Sequence, residues 1–109
     1  QQVLHDLVSN GHKLILFTMR SEINYLDDAV AWFKEQDIPL YGVQSHPEQK
    51  SWTASPKAYG ELIIDDTMLG AKLVDGRYLN WQWTAEALCA QGLITPAQLA
   101  AYDFSLYVF

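Results

Sequence analysis

Hydrophobic residues in this chain recur with two different periods, and the alternation sets out its elements. Val3, Leu4, Leu7 and Val8 repeat at helical spacing, and Asn10-Gly11 supplies a stop, with Gly11 suited to a left-handed position just past the helix end. Leu14-Ile15-Leu16-Phe17 is an unbroken apolar run, the mark of a strand covered on both faces. After Thr18-Met19-Arg20, Ser21 is placed to cap a helix. That helix carries Leu26, Ala29, Val30 and Phe33 on one stripe and runs through Lys34. Pro39 closes the turn, and Leu40-Tyr41-Gly42-Val43 reads as a second strand. A polar stretch, residues 44–55, follows and is long enough to suggest a role in substrate recognition.

Pro56 to Tyr59 has room for one helical turn, and Leu62-Ile63-Ile64 reads as a third strand. Ala71 to Val74 suits a short edge strand, with Asp75-Gly76 turning out of it. Trp81 and Trp83 alternate, as on one face of an extended segment. Thr84 and Thr95-Pro96 are candidate starts for two short C-terminal helices separated by Gly92. Helix, strand, helix, strand, loop and strand in this order predict a mostly parallel sheet with helices on its faces, an α/β fold in a single domain spanning 1–109.

Composition narrows the function. The chain has 109 residues, half of them hydrophobic and 18% charged, so it is expected to be globular. Its formal net charge is −6 with no basic cluster, which argues against nucleic acid as the main partner. No run approaches the roughly 18 apolar residues of a membrane span. The single cysteine, Cys89, excludes an intrachain disulfide and lies in an apolar helix pattern where burial is expected; a reducing, cytoplasmic setting follows as the expectation. No charged leader precedes an apolar segment. The chain opens at Gln1 partway into a helical pattern, so a preceding segment is expected.

The chemistry centres on Asp65-Asp66, two adjacent carboxylates that follow the third apolar run. Adjacent acids repel one another, and on a solvated turn they carry no message. At the carboxyl end of a strand in an open α/β sheet they stand where such folds bind ligands, and Mg²⁺ prefers carboxylate oxygens. Thr18 follows the first strand, and Lys57 lies eight residues before Asp65. If the strands are parallel, a hydroxyl, an ammonium and an acid pair come to one sheet edge. That set suits a phosphoryl group with Mg²⁺, the cation bridging carboxylate and phosphate oxygens and the other two groups offsetting the remaining charge.

In these features the chain resembles the haloacid dehalogenase-like (HAD) superfamily, composed mostly of Mg²⁺-dependent phosphohydrolases. Leu14-Ile15-Leu16-Phe17-Thr18 matches its second motif, Lys57 its third, and Ile63-Ile64-Asp65-Asp66 its fourth, over roughly residues 2–70. The resemblance implies a three-layer Rossmann-like domain. In it Thr18 bonds the transferring phosphoryl group, Lys57 pairs with nucleophile and phosphate, and Asp65 and Asp66 hold Mg²⁺. The substrate implied is a phosphorylated small molecule. The family's first motif, a strand ending in Asp-x-Asp-Gly-Thr, has no match: Asp27-Asp28 sits inside a helical pattern, and Leu73 occupies the position two before Asp75. Without that carboxylate no aspartyl-phosphate forms. The missing strand is also the family's central one, between the two that match residues 14–17 and 62–64. Its absence leaves open edges, at about 1–3 kcal/mol for each buried unpaired backbone group. The strand is expected from an upstream segment, from another chain or second copy, or from direct closure of its neighbours, the first being favoured.

Other residues carry both a plain and a functional reading. Arg20 is a candidate for a substrate anion, although a loop arginine is commonly just solvated. His46 in Ser45-His46-Pro47-Glu48 is a candidate substrate or acid–base group, against the more ordinary role of a loop histidine. His5 and His12 lack metal-ligand spacing. The tryptophans are expected on the core or over helix faces, with ligand stacking as the alternative. Two rival functions stand beside the hydrolase. One is a degenerate, non-catalytic HAD-like binding or scaffold domain. The other is a receiver-like or flavodoxin-like domain; the receiver form is disfavoured because its acids precede its hydroxyl and lysine.

Overall fold

The computed structural model describes residues 1–19 and 23–104 of the chain. They form two compact units, Val3–Glu61 and Leu62–Phe109, each taken by itself below. Ser21, the expected helix cap, falls outside the described residues.

The first unit begins with helix α1, Gln2–Ser9, whose Val3 and Leu7, one turn apart, are both buried. Its end follows from Gly11, which adopts φ +93°. The Gly11 N–H donates to the Val8 carbonyl and the His12 N–H to the Leu7 carbonyl, the paired bonds of a Schellman stop. Strand β1, Ile15–Leu16, leads into helix α2, Ile23–Glu35, and α2 into strand β2, Gly42–Val43. The two strands pair in parallel, Ile15 opposite Gly42 and Leu16 opposite Val43. Backbone bonds from Tyr41 N–H to the Leu14 carbonyl and from Gln44 N–H to the Leu16 carbonyl, both 2.7 Å, extend the ladder at each end. This is the βαβ unit expected from the alternating apolar runs, although the paired stretches are shorter than the runs.

Helix α2 stops in the same way as α1, with Asp37 instead of glycine in the left-handed conformation (φ +57°) and Ile38 buried immediately after it. Gly42 is required by crowding: a Cβ there would run into the Ser45 carbonyl oxygen and the Pro47 ring. The loop after β2 thus folds back tightly on its own strand. It contains one short 3₁₀ helix, Gln49–Ser51. Residues 56–59 form bends and irregular chain, so the helical turn expected there is absent.

In the second unit, Leu62, Ile63 and Ile64 run without regular structure, exposed at 42%, 41% and 37%. The strand expected here does not form. A strand exists only by exchanging ladder bonds with a neighbour, and among the described residues none lies alongside this one. Further on, β3, Leu73–Val74, pairs antiparallel with β4, Tyr78–Leu79. Asp75 and Gly76 turn the chain between them with φ +54° and +67° and a bond from Arg77 N–H to the Val74 carbonyl, both central residues being left-handed as in the tight turns that Asp-Gly favours.

Trp81 and Trp83 lie in helix α3, Trp81–Ala90, not on an extended segment as their alternation suggested. The cap is Asn80, whose side chain accepts the Trp83 N–H at 3.0 Å. Thr84 is interior to the helix and buried, its hydroxyl bonded to the Asn80 carbonyl. Ala85, Leu88 and Ile94 are buried in this unit, while Cys89 is only half-buried. Gly92 (φ +82°) ends α3, and α4, Pro96–Ala101, starts at Thr95 as expected. Thr95 and Gln98 form a reciprocal capping box, with Pro96 in the first turn. Trp32, Trp52 and Trp83 remain substantially exposed, so none is a core tryptophan.

Thr95→Ala removes the hydroxyl that accepts the Gln98 N–H while keeping the Thr95 N–H that donates to Gln98 Oε1, and is expected to lower stability by about 1 kcal/mol, read as a lower urea midpoint with an unchanged slope. An unchanged midpoint would show that the hydroxyl bond contributes nothing.

Candidate functional site

Thr18 stands two residues past β1, at the carboxyl end of the parallel pair. Its backbone is gripped by one side chain. The Thr18 N–H donates to Gln44 Oε1 at 2.8 Å, and Gln44 Nε2 donates to the Thr18 carbonyl at 2.7 Å. Gln44 itself sits at φ +64°, a conformation L-residues seldom adopt.

Lys57 is exposed, and its backbone is fixed in a similar way. Gln49, a buried polar residue, donates from Nε2 to the Lys57 carbonyl at 2.6 Å and to the Ser55 carbonyl at 3.0 Å. Its Oε1 accepts the Tyr59 N–H at 2.7 Å. The Lys57 N–H donates to Ser55 Oγ at 3.2 Å.

His46 belongs to an aromatic cluster. Its ring meets those of Trp52 at 5.0 Å, Tyr41 at 5.3 Å and Tyr59 at 5.9 Å, all edge-to-face. Nδ1 accepts the Glu48 N–H at 3.2 Å, which in the neutral ring puts the proton on Nε2. The Tyr41 phenol is raised above its ordinary value by desolvation, then by the charge of Glu48 and a hydrogen bond to it. The Lys13 ammonium sits 4.4 Å from the centre of the Tyr41 ring. Arg20, the other substrate-anion candidate, lies outside the described residues.

Asp65 and Asp66 open a turn in the second unit. Asp65 Oδ1 accepts both the Thr67 N–H and the Thr67 hydroxyl, each at 3.0 Å. The Thr67 N–H first, then a hydrogen bond with the Asp66 carboxyl and the Thr67 hydroxyl, hold the Asp65 carboxyl below the usual carboxylate range. Asp66 is exposed. Among the described residues no group of three or more His, Cys, Asp or Glu is clustered closely enough to hold a metal ion. Two adjacent carboxylates suit a hard cation but supply only part of the six oxygens Mg²⁺ requires. Thr18 and Lys57 belong to one unit and the acids to the other.

Gln44 and Gln49 are the residues the sequence did not reveal. Both lie in a polar stretch with no apolar periodicity to single them out. A glutamine directly after an apolar strand, before a Ser-His-Pro turn, was the available hint for Gln44. No protein-family model, curated protein or solved structure matches the chain. No helix among the described residues is long and apolar enough to cross a membrane.

The depressed Asp65 value fixes a pH response. Its bonds to Thr67 favour the charged form, so their contribution to stability is complete above the unfolded carboxylate value of about 3.9. It is lost as the pH falls through the lower folded value. An NMR titration is expected to place the Asp65 midpoint below the usual range. Thr67→Val, which removes the hydroxyl and keeps the N–H, is expected to move it part of the way back. A normal midpoint in the unsubstituted protein would contradict the turn geometry.

Proposed function

We propose that this chain supplies the phosphate- and Mg²⁺-binding groups of a HAD-like phosphohydrolase, one that cleaves phosphomonoesters through an aspartyl-phosphate. The carrying observation is the placement of Thr18 at the carboxyl end of a parallel βαβ pair, together with Lys57 and the Asp65-Asp66 turn in the family's order. In this reading the Thr18 hydroxyl bonds the transferring phosphoryl group, and the Lys57 ammonium offsets charge between nucleophile and phosphate. Asp65 and Asp66 hold Mg²⁺, which supplies charge neutralisation at the phosphate oxygens. Arg20 and His46 contribute to recognition of a phosphorylated small molecule. The site operates in the cytoplasm, where the one cysteine stays reduced.

The nucleophile comes from a strand outside these 109 residues, on another segment or another chain. Two features support that supply. The parallel sheet stops at two strands, and the apolar residues 62–64 lie unpaired among the described residues. An added apolar strand at the open edge of the parallel pair would extend it toward a three-layer Rossmann-like domain and carry an Asp-x-Asp-Gly-Thr end. The missing nucleophile in the sequence favours a second reading, a non-catalytic binding or scaffold domain that keeps the anion and metal groups.

With 4-nitrophenyl phosphate and Mg²⁺, the chain alone is expected to give no turnover. Fused to a strand ending in Asp-x-Asp-Gly-Thr, it is expected to become active, with activity abolished by EDTA and by Asp66→Ala. Mg²⁺ binding without turnover in the fused form would favour the scaffold reading. Activity indifferent to Asp66→Ala would overturn the assignment of the metal groups.

A further inference from the structure

The polar stretch after β2, a candidate for substrate recognition, also carries a distinctive bonding pattern. At Gln44 the main chain turns out of the sheet through a left-handed residue. The ladder nevertheless continues for one more step, because the Gln44 side chain takes the place of the departing peptide. A carboxamide carries the same acceptor and donor as a peptide group. Here its oxygen receives the Thr18 N–H and its nitrogen serves the Thr18 carbonyl, at 2.8 and 2.7 Å. Gln49 repeats the device five residues later, bonding the carbonyls of Ser55 and Lys57 and the N–H of Tyr59. The same loop thus sends two carboxamides to the backbones of two candidate phosphate-binding residues. The left-handed backbone at Gln44 is unfavourable for a residue with a Cβ, and the two-point grip offsets it.

We propose that Gln44 and Gln49 are positioning residues: their carboxamides act as peptide surrogates that hold Thr18 and Lys57 in place for an incoming phosphate. This rests on the phosphate role assigned to Thr18 and Lys57 above. The arrangement lets the main chain turn out of the ladder after β2 while Thr18 keeps two backbone bonds to the Gln44 side chain. Neither glutamine touches phosphate in this account; each acts through the residue it grips.

The test uses the full chain with Mg²⁺ and inorganic phosphate as the probe, and reads amide hydrogen exchange at Thr18 and phosphate affinity. Gln44→Ala is expected to speed Thr18 exchange about tenfold and to weaken phosphate binding by a similar factor, with exchange at Val3 and Leu7 unchanged. Gln44→Glu adds a reading that a general loss of stability would not produce. Protonated, the carboxylic acid offers the same donor and acceptor as the amide; ionised, it offers acceptors alone. Ionisation therefore removes the donor to the Thr18 carbonyl and leaves two oxygens facing each other, so phosphate affinity is expected to match the unsubstituted protein at the same pH below the titration and to fall above it. Thr18→Val keeps the backbone grip and removes the hydroxyl. Should Thr18→Val lose phosphate while Gln44→Ala binds normally, or Gln44→Glu show no pH switch, the positioning role is overturned and the phosphate reading stands. Should Thr18→Val and the unsubstituted chain behave alike toward phosphate, the phosphate reading fails and takes the positioning role with it. If Gln44→Ala does not fold, the Gln44→Glu comparison decides.

Discussion

Every peptide group in a sheet needs a partner, and that requirement governs what this chain can do. The bonds between Ile15–Leu16 and Gly42–Val43 form a short parallel ladder with open outer edges among the described residues. Where the ladder would end, at Thr18, a carboxamide carries it one step further. Where no ladder is on offer, at residues 62–64, three apolar side chains stay exposed and no strand forms. Water satisfies an open edge at little cost, so such segments persist in the isolated chain. Covering them with apolar side chains buried on both faces, as in a parallel sheet, requires another strand.

The sparse core points the same way. Among the described residues the buried hydrophobic ones are Val3, Leu7, Ile38 and Ala58 in the first unit and Ala85, Leu88 and Ile94 in the second. Against these stand Phe17 and Met19 just past β1, and Leu62, Ile63, Ile64 and Leu69 in the second unit, all exposed. Burying a large apolar side chain contributes about 1.5–3 kcal/mol. A partner strand that covered some of them would gain part of that contribution, set against the entropic cost of association. The proposed catalytic machinery would have the same shape, with this chain supplying groups for phosphate and metal and the added strand supplying the nucleophile.

Local chemistry was legible in the sequence wherever one residue type decides the geometry. Gly11 ended α1, Asp75-Gly76 made the hairpin turn, and Thr95-Pro96 started α4, each because a left-handed turn or a cap admits few residues. The helix over residues 23–35 followed from its apolar stripe. Pairing was less legible. Residues 62–64 have the composition of a strand, but composition supplies no neighbour. Trp81 and Trp83 alternate as in a strand, yet Asn80 at the cap position sets a helix. Of the site, residue types and order were readable, whereas the grips by Gln44 and Gln49 were not. They depend on where two long polar side chains reach across 26 and 8 residues, and no periodicity encodes that reach.

Residues 62–64 and the β1 edge must each be able to accept a strand if the nucleophile is supplied from outside. The direct measurement is amide hydrogen exchange across the chain, with and without an added apolar peptide ending in Asp-x-Asp-Gly-Thr. The account requires that exchange at Ile63, Ile64 and the β1 residues slow together when the peptide is present, while α4 is unaffected. Exchange that stays unchanged at these positions under saturating peptide would contradict it.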